Sequence, residues 1–495
     1  MALVLTPREH RLLALFVIAV ILVRLATLGA YPLMDSTESR YAEIARKMLE
    51  TGDWLTPQFD YGVPFWGKPP ASTWLAAAAM GALGVGEFAA RLPSLLLALA
   101  CAIPIAFHAA LRGGRDQRLW TLALFASTVL VFIAAGAVMT DTALALGTTM
   151  SMTGFWIAMN GADKQRAAAT ASFFVGLAIG LLAKGPVAVV LAFLPIGAWV
   201  LATGGWRDAW VRVPWIGGML LTAALVIPWY WAAERATPGF LDYFLVGEHW
   251  KRFVEPGWKG DLYGAAHARP RGMIWLYWIA AALPWSAVAL AWLVRGLMQK
   301  RVNLHALAAD PWRLYLLLWT IAPMVFFTVS GNILATYVLP GLPAFALLLG
   351  DLWRPSPGDH RALRSPVRTL LGVGSLIFIL FVVGIVAGQD RFRRALSHQA
   401  LVETWSSMRA NSGERLIYVG RPPPSADFYS RGKATRVPDA ATLAPLLAEP
   451  AADFIAIRAA DLARLPDAIR SQLVPLGEFG DYQLLRESAA AAPPR

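Results

Sequence analysis

The chain has 495 residues, of which 57% are apolar and only 15% are charged, whereas ordinary soluble domains are about 25% charged. The apolar residues are concentrated in repeated runs of about 18–22 residues, each long enough to cross a hydrocarbon layer about 30 Å thick. A single soluble globule and a disordered chain are therefore excluded. Cys101 is the only cysteine in the sequence, which excludes an internal disulfide and a cysteine metal cluster.

The first apolar run, residues 12–30, predicts a retained membrane-spanning helix. It follows Arg8 and Arg11, and it lacks the short apolar segment and the cleavage site of a signal peptide. Ten further spans are predicted near residues 92–111, 118–138, 143–160, 167–183, 187–202, 213–232, 273–294, 313–330, 337–351 and 369–387.

Lysine and arginine are concentrated in alternate loops between these spans, which is the pattern of cytoplasmic loops. The residues concerned are Arg112, Arg115, Arg118, Lys164, Arg166, Arg207, Arg212, Arg295, Lys300, Arg301, Arg354, Arg361, Arg364 and Arg368. The net charge of +12 therefore reflects membrane topology and not nucleic-acid binding. The pattern predicts an N-terminus in the cytoplasm and, with eleven spans, a C-terminus on the outer side.

Residues 72–84 are apolar but shorter than the roughly 20 residues that a span needs. If they crossed the membrane, the basic loop at 112–118 would fall outside the cell. We therefore predict a helix that lies in the membrane interface within an outer loop. The predicted fold class is an all-α polytopic membrane protein with about eleven transmembrane helices, and up to thirteen.

Three regions are predicted on the outer side: a loop at 31–91, a second loop at 233–272, and everything after Gln389. The predicted domains are therefore a transmembrane domain, 1–388, and a small soluble α/β domain, 389–495. The α/β prediction depends on strand patterns at 415–420, 453–458 and 482–487 that alternate with helical patterns at 440–448 and 459–471.

The first outer loop carries two acids, Asp35 and Glu38, directly after a predicted membrane exit. Arg40 and Tyr41 then open an amphipathic helix that is predicted to lie on the membrane surface. Two interpretations stay open at this point. The acids either complement the dipole at the start of the helix or belong to a functional site.

Three further ionisable residues are predicted near the outer membrane surface. Lys68 precedes two prolines, which stop a helix and fix where the lysine emerges. A lysine at this depth suits a lipid phosphate, or it extends to the headgroups without a specific partner. Asp141 and Lys184 lie at the outer ends of two spans, where a charge is costly unless it is paired or used; alternatively, each marks a helix end.

The second outer loop carries Glu248, His249 and Arg252 among aromatic residues. Glu248 and His249, together with Asp261 and His267, are candidate metal ligands, so a divalent cation is one hypothesis. Their spacing matches no strong motif such as HExxH.

Tyr337 lies beside a short outer turn, where an interfacial anchor is the default interpretation. Together the candidates place acids, lysines, arginines, a histidine and tyrosines on one membrane face. These residue types can bind a phosphate and activate a hydroxyl.

Arranged in this order, the motifs resemble bacterial glycosyltransferases of the dolichyl-phosphate-mannose–protein mannosyltransferase type (glycosyltransferase family 39-like), and in particular the aminoarabinose transferases that modify lipid A. The resemblance covers roughly residues 10–350. Its motifs are Asp35-Ser-Thr-Glu38-Ser-Arg40-Tyr41, Gly52-Asp53-Trp54-Leu55, Lys68-Pro-Pro, Glu87-Phe-Ala-Ala-Arg91, Ala183-Lys184-Gly-Pro, Glu248-His249-Trp-Lys-Arg252, Leu283-Pro284-Trp285 and Tyr337-Val-Leu-Pro340.

The resemblance implies a GT-C fold in the bacterial inner membrane, with the active site and the C-terminal domain in the periplasm. It implies a sugar donor carried on a polyprenyl phosphate, undecaprenyl phosphate in bacteria, and an acceptor such as lipid A, another surface glycan or a protein. No nucleotide cofactor and no nucleic-acid partner are implied. It assigns Asp141 as a second acid and gives the lipid-phosphate site to Arg40, Tyr41, Lys68, Lys184, His249, Arg252 and Tyr337.

The first-loop motif departs from the family pattern. The aminoarabinose transferases usually carry adjacent Asp-Glu before x-Arg-Tyr, whereas Thr37 stands at the Asp position here and the preceding acid is Asp35. The base that deprotonates the acceptor hydroxyl is therefore Asp35 or Glu38. We predict that Asp35 is the base and that Glu38 orients Arg40 or the acceptor.

A transporter or flippase of a lipid-linked sugar is the alternative function, in which the same charges bind a headgroup in transit. Transporters are marked by inverted repeats and broken helices in corresponding halves. The sequence shows neither pattern, and its candidate residues cluster on one membrane face. A glycosyltransferase is therefore the favoured prediction.

Overall fold

A computed structural model describes residues 5–488 except for 36, 265, 300–308, 354–365, 412, 448 and 450–452. Five residues of the basic loops lie outside the described residues: Lys300, Arg301, Arg354, Arg361 and Arg364. The chain is mostly helical, and it ends in a small α/β domain, as the sequence predicts. The predicted fold class is therefore confirmed, except for the number of spans.

The part before residue 388 is built mainly from helices. Their bounds are α1 Pro7–Thr27, α2 Thr37–Thr51, α3 Ala71–Leu83, α4 Glu87–Ala126, α5 Val129–Ala134, α6 Asp141–Asn160, α7 Asp163–Lys184, α8 Val187–Thr203, α9 Trp206–Arg212, α10 Trp215–Ala236, α11 Arg252–Val254, α12 Met273–Ala281, α13 Trp285–Met298, α14 Pro311–Phe327, α15 Leu342–Leu352 and α16 Pro366–Ala387. A hairpin of β1 Gln58–Asp60 and β2 Val63–Pro64, a π-helical segment Asp242–Lys251 and a 3-10 segment Ala335–Gly341 complete it.

The predicted spans coincide with helices, but two of them are interrupted. The span predicted at 118–138 begins within α4, beyond a break at Gly113 and Gly114, where Gly114 has a φ of 72° that favours glycine. It then ends as the separate helix α5. The span predicted at 273–294 is divided into α12 and α13, which meet at 104° next to Pro284, a residue that cannot continue helical hydrogen bonding.

By length and apolar composition, six helical stretches among the described residues can cross a membrane, or seven if α12 and α13 form one span. The six are α1, α4, α7, α10, the 3-10 segment continued by α15, and α16. Three shorter apolar helices, α3, α8 and α14, fall below the length of a full span. The helix predicted at 72–84 is present as α3. The total of eleven spans stays a prediction.

The antiparallel pair α6 and α7 is packed through glycine. A Cβ added at Gly147 would lie 2.6 Å from the carbonyl oxygen of Gly176, so only glycine lets the two backbones approach this closely. This packing brings the first residue of α6, Asp141, beside the last residue of α7, Lys184. Two helix ends that the sequence predicts on one membrane face thereby form one ion pair.

The charged face of the helix α2 is buried, whereas the sequence predicts that it is exposed. The sequence suggested a surface helix, but Glu43, Arg46 and Lys47 are at most 4% exposed. Arg46 pairs with Glu43 at 2.6 Å and donates to the hydroxyl of Tyr61 at 2.9 Å. The charged face is therefore buried because its charges are paired, against the hairpin and the C-terminal domain.

The C-terminal domain contains a five-stranded sheet in the order β4-β3-β5-β7-β6. The elements are α17 Gln389–Arg394, α18 Gln399–Met408, β3 Leu416–Val419, α19 Pro424–Ser430, β4 Ala434–Val437, α20 Ala440–Leu446, β5 Phe454–Arg458, α21 Ala459–Leu462, α22 Asp467–Arg470, β6 Leu473–Phe479 and β7 Tyr482–Glu487. β3 is parallel to β4 and β5, while β7 is antiparallel to β5 and β6.

All three predicted strands of this domain are confirmed, as β3, β5 and β7. The helix predicted at 440–448 is seen as α20, and residue 448 lies outside the described residues. The single helix predicted at 459–471 is wrong, because it is divided into α21 and α22. Pro466 lies between them and has no backbone N–H with which to continue the first helix.

Candidate functional site

A cavity of about 360 Å³ opens among α7, α8, α14, the π-helical segment and the 3-10 segment. We call it the outer cavity. Its polar lining consists of Lys68, Lys184, Glu248, His249, Arg252, Ser330, Asn332 and Tyr337, and its less polar wall of Pro186, Val187, Val190, Leu245, Trp250, Phe253, Phe326 and Phe327. Five of the seven residues predicted for a lipid-phosphate site therefore line one cavity.

Lys184, which lines this cavity, forms an ion pair with Asp141. The Nζ of Lys184 is 2.5 Å from a carboxylate oxygen of Asp141, and both side chains are 10% exposed. The same ammonium lies 4.3 Å from the centre of the Tyr337 ring, where the ring's negative face attracts it. The lysine is thus held in place and still lines the cavity.

Glu248 lies between two cations, Lys68 and Arg252. It forms an ion pair with Lys68, whose ammonium also donates to the carbonyl of Gly67 at 2.6 Å. Nη1 of Arg252 donates to both carboxylate oxygens of Glu248 at 2.9 Å and lies 3.2 Å from Asp261. Burial by itself would raise the pKa of Glu248, but the two cations outweigh it and lower the pKa, so the carboxylate is ionised.

His249 fixes the end of α7. Its ring nitrogens lie 2.7 Å from the carbonyl oxygen of Phe244 and 3.0 Å from that of Lys184. Burial lowers the pKa of His249, so the ring is mostly neutral at pH 7 and donates to one of these carbonyls. The ring therefore positions the backbone that carries Lys184.

Arg40 and Tyr41 approach the same charges from α2. Arg40 donates to the carbonyl of Tyr263 at 2.6 Å. Burial raises the pKa of Tyr41, and the charges of Arg40 and Lys184 partly offset that effect. The pKa of Tyr41 is therefore influenced by charged residues at the outer cavity, Lys184 among them.

Asp35, the predicted base, contacts the C-terminal domain. Its carboxylate accepts hydrogen bonds from the Ser39 hydroxyl at 2.7 Å and from the backbone N–H of Ser425 at 2.9 Å, and it also accepts from the Ser425 hydroxyl. Its backbone N–H donates to the carbonyl of Leu396 at 2.9 Å. The structure thus gives Asp35 a docking contact, and Asp35 does not line the outer cavity.

Glu38 forms a bidentate pair with Arg91, with distances of 2.8 and 2.9 Å. It also accepts from the backbone N–H of Met34 at 3.1 Å. Arg91 is fully buried. Glu38 therefore fixes the start of α2 against α4. Among the described residues it pairs with Arg91 and not with Arg40, and the alternative role of orienting the acceptor stays a prediction.

The candidate metal ligands do not come together. Among the described residues, no group of three or more His, Cys, Asp or Glu side chains could hold a metal ion. Glu248 is engaged by Lys68 and Arg252, and His249 faces two carbonyl oxygens. This donor set does not fit a metal.

Two residues of the site were not predicted for the phosphate cluster. Asp261 contributes a carboxylate to Arg252. Asn332 donates to the carbonyl of Glu255 at 2.7 Å and accepts from the backbone N–H of Gly257 at 2.9 Å, which folds the second outer loop around the cavity. No local sequence pattern predicts these contacts. Asn332 is distant in sequence from its partners, and Asp261 lies in an irregularly folded loop.

The chain is similar in sequence to known glycosyltransferases. Residues 10–244 match the family described as dolichyl-phosphate-mannose-protein mannosyltransferase. The chain is 29% identical over 360 residues to the undecaprenyl phosphate-alpha-4-amino-4-deoxy-L-arabinose arabinosyl transferase of Enterobacter sp. (strain 638), covering 71% of this chain and 61% of that protein. It is 30% identical over 377 residues to the protein of the same name from Pseudomonas savastanoi pv. phaseolicola (strain 1448A / Race 6), covering 74% of this chain and 67% of that one.

Among solved structures, the fold is similar to the crystal structure of ArnT from Cupriavidus metallidurans bound to undecaprenyl phosphate. The TM-score is 0.76 at 20% sequence identity, and the match covers 97% of this chain and 99% of the other. The fold is thus shared along nearly the whole chain. In sequence, by contrast, the chain spans 61% to 67% of the length of the two arabinosyl transferases.

Proposed function

The chain belongs to the glycosyltransferase family of the undecaprenyl phosphate-alpha-4-amino-4-deoxy-L-arabinose arabinosyl transferases, and from that premise we propose that it transfers a sugar from a polyprenyl phosphate to lipid A or another surface acceptor. The donor lipid is undecaprenyl phosphate. The protein lies in the bacterial inner membrane with its N-terminus in the cytoplasm. Residues 1–388 form the membrane domain, and residues 389–495 form a periplasmic domain.

One observation carries this proposal: the outer cavity joins a cationic end to an apolar wall. A phosphate attached to a prenyl chain needs both surfaces, because its charged group binds fixed cations while its hydrocarbon leaves water. Lys68, Lys184 and Arg252 supply the cations, and Phe326 and Phe327 form part of the wall. A soluble nucleotide sugar would leave such a wall without a partner.

The charge balance supports an anionic donor. The three cavity cations pair with three carboxylates, those of Asp141, Glu248 and Asp261. Arg40, which donates to the carbonyl of Tyr263, adds a fourth cation to the cluster. The cluster therefore carries one excess positive charge, which the single negative charge of a phosphodiester neutralises. During transfer the C–O bond to the phosphate breaks and the phosphate gains charge, which fixed cations stabilise.

Acceptor activation needs a carboxylate that can take a proton as the hydroxyl attacks. Asp141 is favoured for this role, because its carboxylate pairs with Lys184, which lines the outer cavity. A phosphate that binds Lys184 weakens the hold of the lysine on Asp141, which frees the carboxylate. Asp35 and Glu38 are less favoured, since their oxygens are engaged by Ser425 and Arg91.

The test is transfer by the purified full chain in lipid nanodiscs, supplied with undecaprenyl-phosphate aminoarabinose and lipid A. Mass spectrometry would detect the modified acceptor. We expect Lys68→Ala to abolish product formation, while Lys259→Ala, which removes an exposed lysine of the second outer loop, leaves it unchanged. Movement of the donor across a proteoliposome membrane without any product would instead indicate a transporter.

A further inference from the structure

A second cavity, of about 270 Å³, lies between α2, the β1–β2 hairpin and the C-terminal domain. We call it the interdomain cleft. Its charged lining includes Lys47 and Asp60 from the first outer loop, and Arg421, Asp427 and Arg436 from the C-terminal domain. The mechanism proposed above uses none of these groups.

The charges contributed by the first outer loop are already paired. Lys47 donates to the carbonyl of Phe59 at 3.0 Å, and Asp60 pairs with Arg436 at 3.2 Å. Glu43, also on this wall, accepts two hydrogen bonds from Arg46 at 2.6 and 2.8 Å. These groups shape the cleft but have little hydrogen-bonding capacity left for a ligand.

Two groups from the C-terminal domain differ in this respect. The guanidinium of Arg421 stacks 4.0 Å from the centre of the Phe59 ring. Within the part of the chain that the structure describes, the side chains of Arg421 and Asp427 form no hydrogen bond or ion pair. The cleft thus presents a cation with five free donors beside an unpaired carboxyl group.

The carboxyl group of Asp427 is close to half-protonated at neutral pH. Burial and the nearby carboxylates of Glu43 and Asp60 raise its pKa to about 7, and the charges of Lys47 and Arg421 oppose this rise. Such a group both donates to and accepts from hydroxyl or amine groups. Neutral polar groups of a sugar therefore suit Asp427, while a phosphate suits Arg421.

The interdomain cleft and Arg40 share the helix α2. Arg40 and Lys47 are separated by two helical turns and share one face, so the cleft ends about 10 Å from Arg40 along the helix. The charge of Arg40 acts on Tyr41, beside the outer cavity, and on Arg421, in the cleft. The cleft is thus linked along α2 to Arg40, a residue predicted for the lipid-phosphate site.

We infer that the interdomain cleft binds a phosphorylated sugar headgroup of the acceptor, with the phosphate on Arg421 and sugar hydroxyl or amine groups on Asp427. The volume is slightly below the roughly 300–1,000 Å³ of sites for drug-sized ligands, so the cleft holds a headgroup and not a whole glycolipid. This inference rests on the proposed function, because it supplies the acceptor to the same reaction.

The experiment measures the acceptor KM and the donor Kd of the full chain in nanodiscs. Arg421→Gln should raise the KM for lipid A by about 10–100-fold, the factor for loss of a charged hydrogen bond, with the donor Kd unchanged. Arg464→Gln is the matched control, since Arg464 is 80% exposed on the same domain and pairs with Asp461. An unchanged KM for Arg421→Gln would overturn the inference.

Two further arms identify the source of the phosphate and guard against misfolding. With dephosphorylated lipid A, the wild type and Arg421→Gln should have the same KM; a persisting difference would overturn the phosphate assignment. Soluble glucosamine 1-phosphate should compete with lipid A in the wild type if the cleft also accepts a free sugar phosphate, and otherwise the lipid-linked form alone binds. Arg421→Lys, which keeps the charge, should fold like the wild type and recover part of the acceptor affinity.

Failure of the proposed function is distinguishable from failure of this inference. If the wild type transfers no sugar and binds no donor, the proposed function fails. The affinity of the wild type and of Arg421→Gln for lipid A, measured by calorimetric titration, then tests the inference about the cleft independently of transfer. Equal affinities in that titration would overturn the inference.

Discussion

Two buried pairs of an acid and a cation, Glu38–Arg91 and Asp141–Lys184, have similar chemistry and different surroundings. Arg91 has five N–H donors, and all five are used, two on Glu38 and three on backbone carbonyls. Lys184 has three donors, of which one hydrogen bond, to Asp141, is formed among the described residues, and its ammonium faces the ring of Tyr337. The first pair is saturated, whereas the second retains donors at a cavity.

This difference separates a structural ion pair from the pair that we propose takes part in donor binding. A saturated pair has nothing to offer a ligand, and its burial makes either partner costly to remove. In the second pair Lys184 lines a cavity and retains donors that a phosphate can use. Both pairs lie close to membrane exits in the sequence, so position along the chain does not distinguish them.

The largest expected effect comes from the pair at the cavity. Asp141→Asn should lower turnover by about 10²–10⁴, the range for loss of a general base, while the donor Kd stays within a few-fold. Steady-state transfer and donor titration would measure both quantities. Asp163→Asn, at the opposite end of α7 and 88% exposed, should behave as wild type. Full activity of Asp141→Asn would exclude Asp141 as the base.

The saturated pair should show its effect in stability. Glu38→Gln leaves the buried charge of Arg91 with a weaker partner, so the free energy of unfolding should fall by about 3–5 kcal/mol. Thermal unfolding in detergent would measure the shift, and turnover per folded molecule should change less than threefold. A normal unfolding temperature together with lost turnover would mean that Glu38 acts in the reaction.

A smaller effect is expected where the first outer loop meets the C-terminal domain. Asp35→Asn keeps the shape but weakens the hydrogen bonds from Ser425, at a cost of about 1–3 kcal/mol in docking. Limited proteolysis near residues 388–397 should become faster, and turnover should fall less than tenfold. If turnover instead fell by about 10²–10⁴ with the domain still docked, Asp35 would be the base, as the sequence predicts.

The smallest effect concerns the pH dependence of stability. The pKa of Asp427 is about 7 in the folded protein and 3.8 in its ordinary state. Because the folded protein binds this proton more tightly than the unfolded chain does, stability falls as pH rises from about 4 to 7 and then levels off. The groups that face it are Glu43, Asp60, Lys47 and Arg421.

The variant Asp427→Asn removes this titration. It should therefore unfold at a higher temperature than the wild type at pH 8, and the difference should shrink towards pH 4. Thermal unfolding across this range would measure it. A difference that is constant with pH would show that Asp427 does not titrate there.

The sequence alone determined the membrane class, the approximate positions of most helices, and three of the five strands of the C-terminal domain, whereas β4 and β6 were not predicted. These features depend on local patterns, since apolar runs, period-two alternation and clustered arginines are each read within about twenty residues. The motifs also named the cations that line the outer cavity. Local chemistry alone left each of these cations with two interpretations, and their assignment to one phosphate site came from the resemblance of the motifs, in their order, to a family.

Only the tertiary structure decided which acid faces which partner. Lys68 and Glu248 are 180 residues apart, and Asp35 and Ser425 are 390 residues apart. The amphipathic pattern of α2 correctly gave it two faces, but it could not show that the C-terminal domain covers the charged one. A pattern within one segment reports which side chains share a face. What covers that face, and whether its donors are then used or left for a ligand, depends on packing between segments distant in sequence.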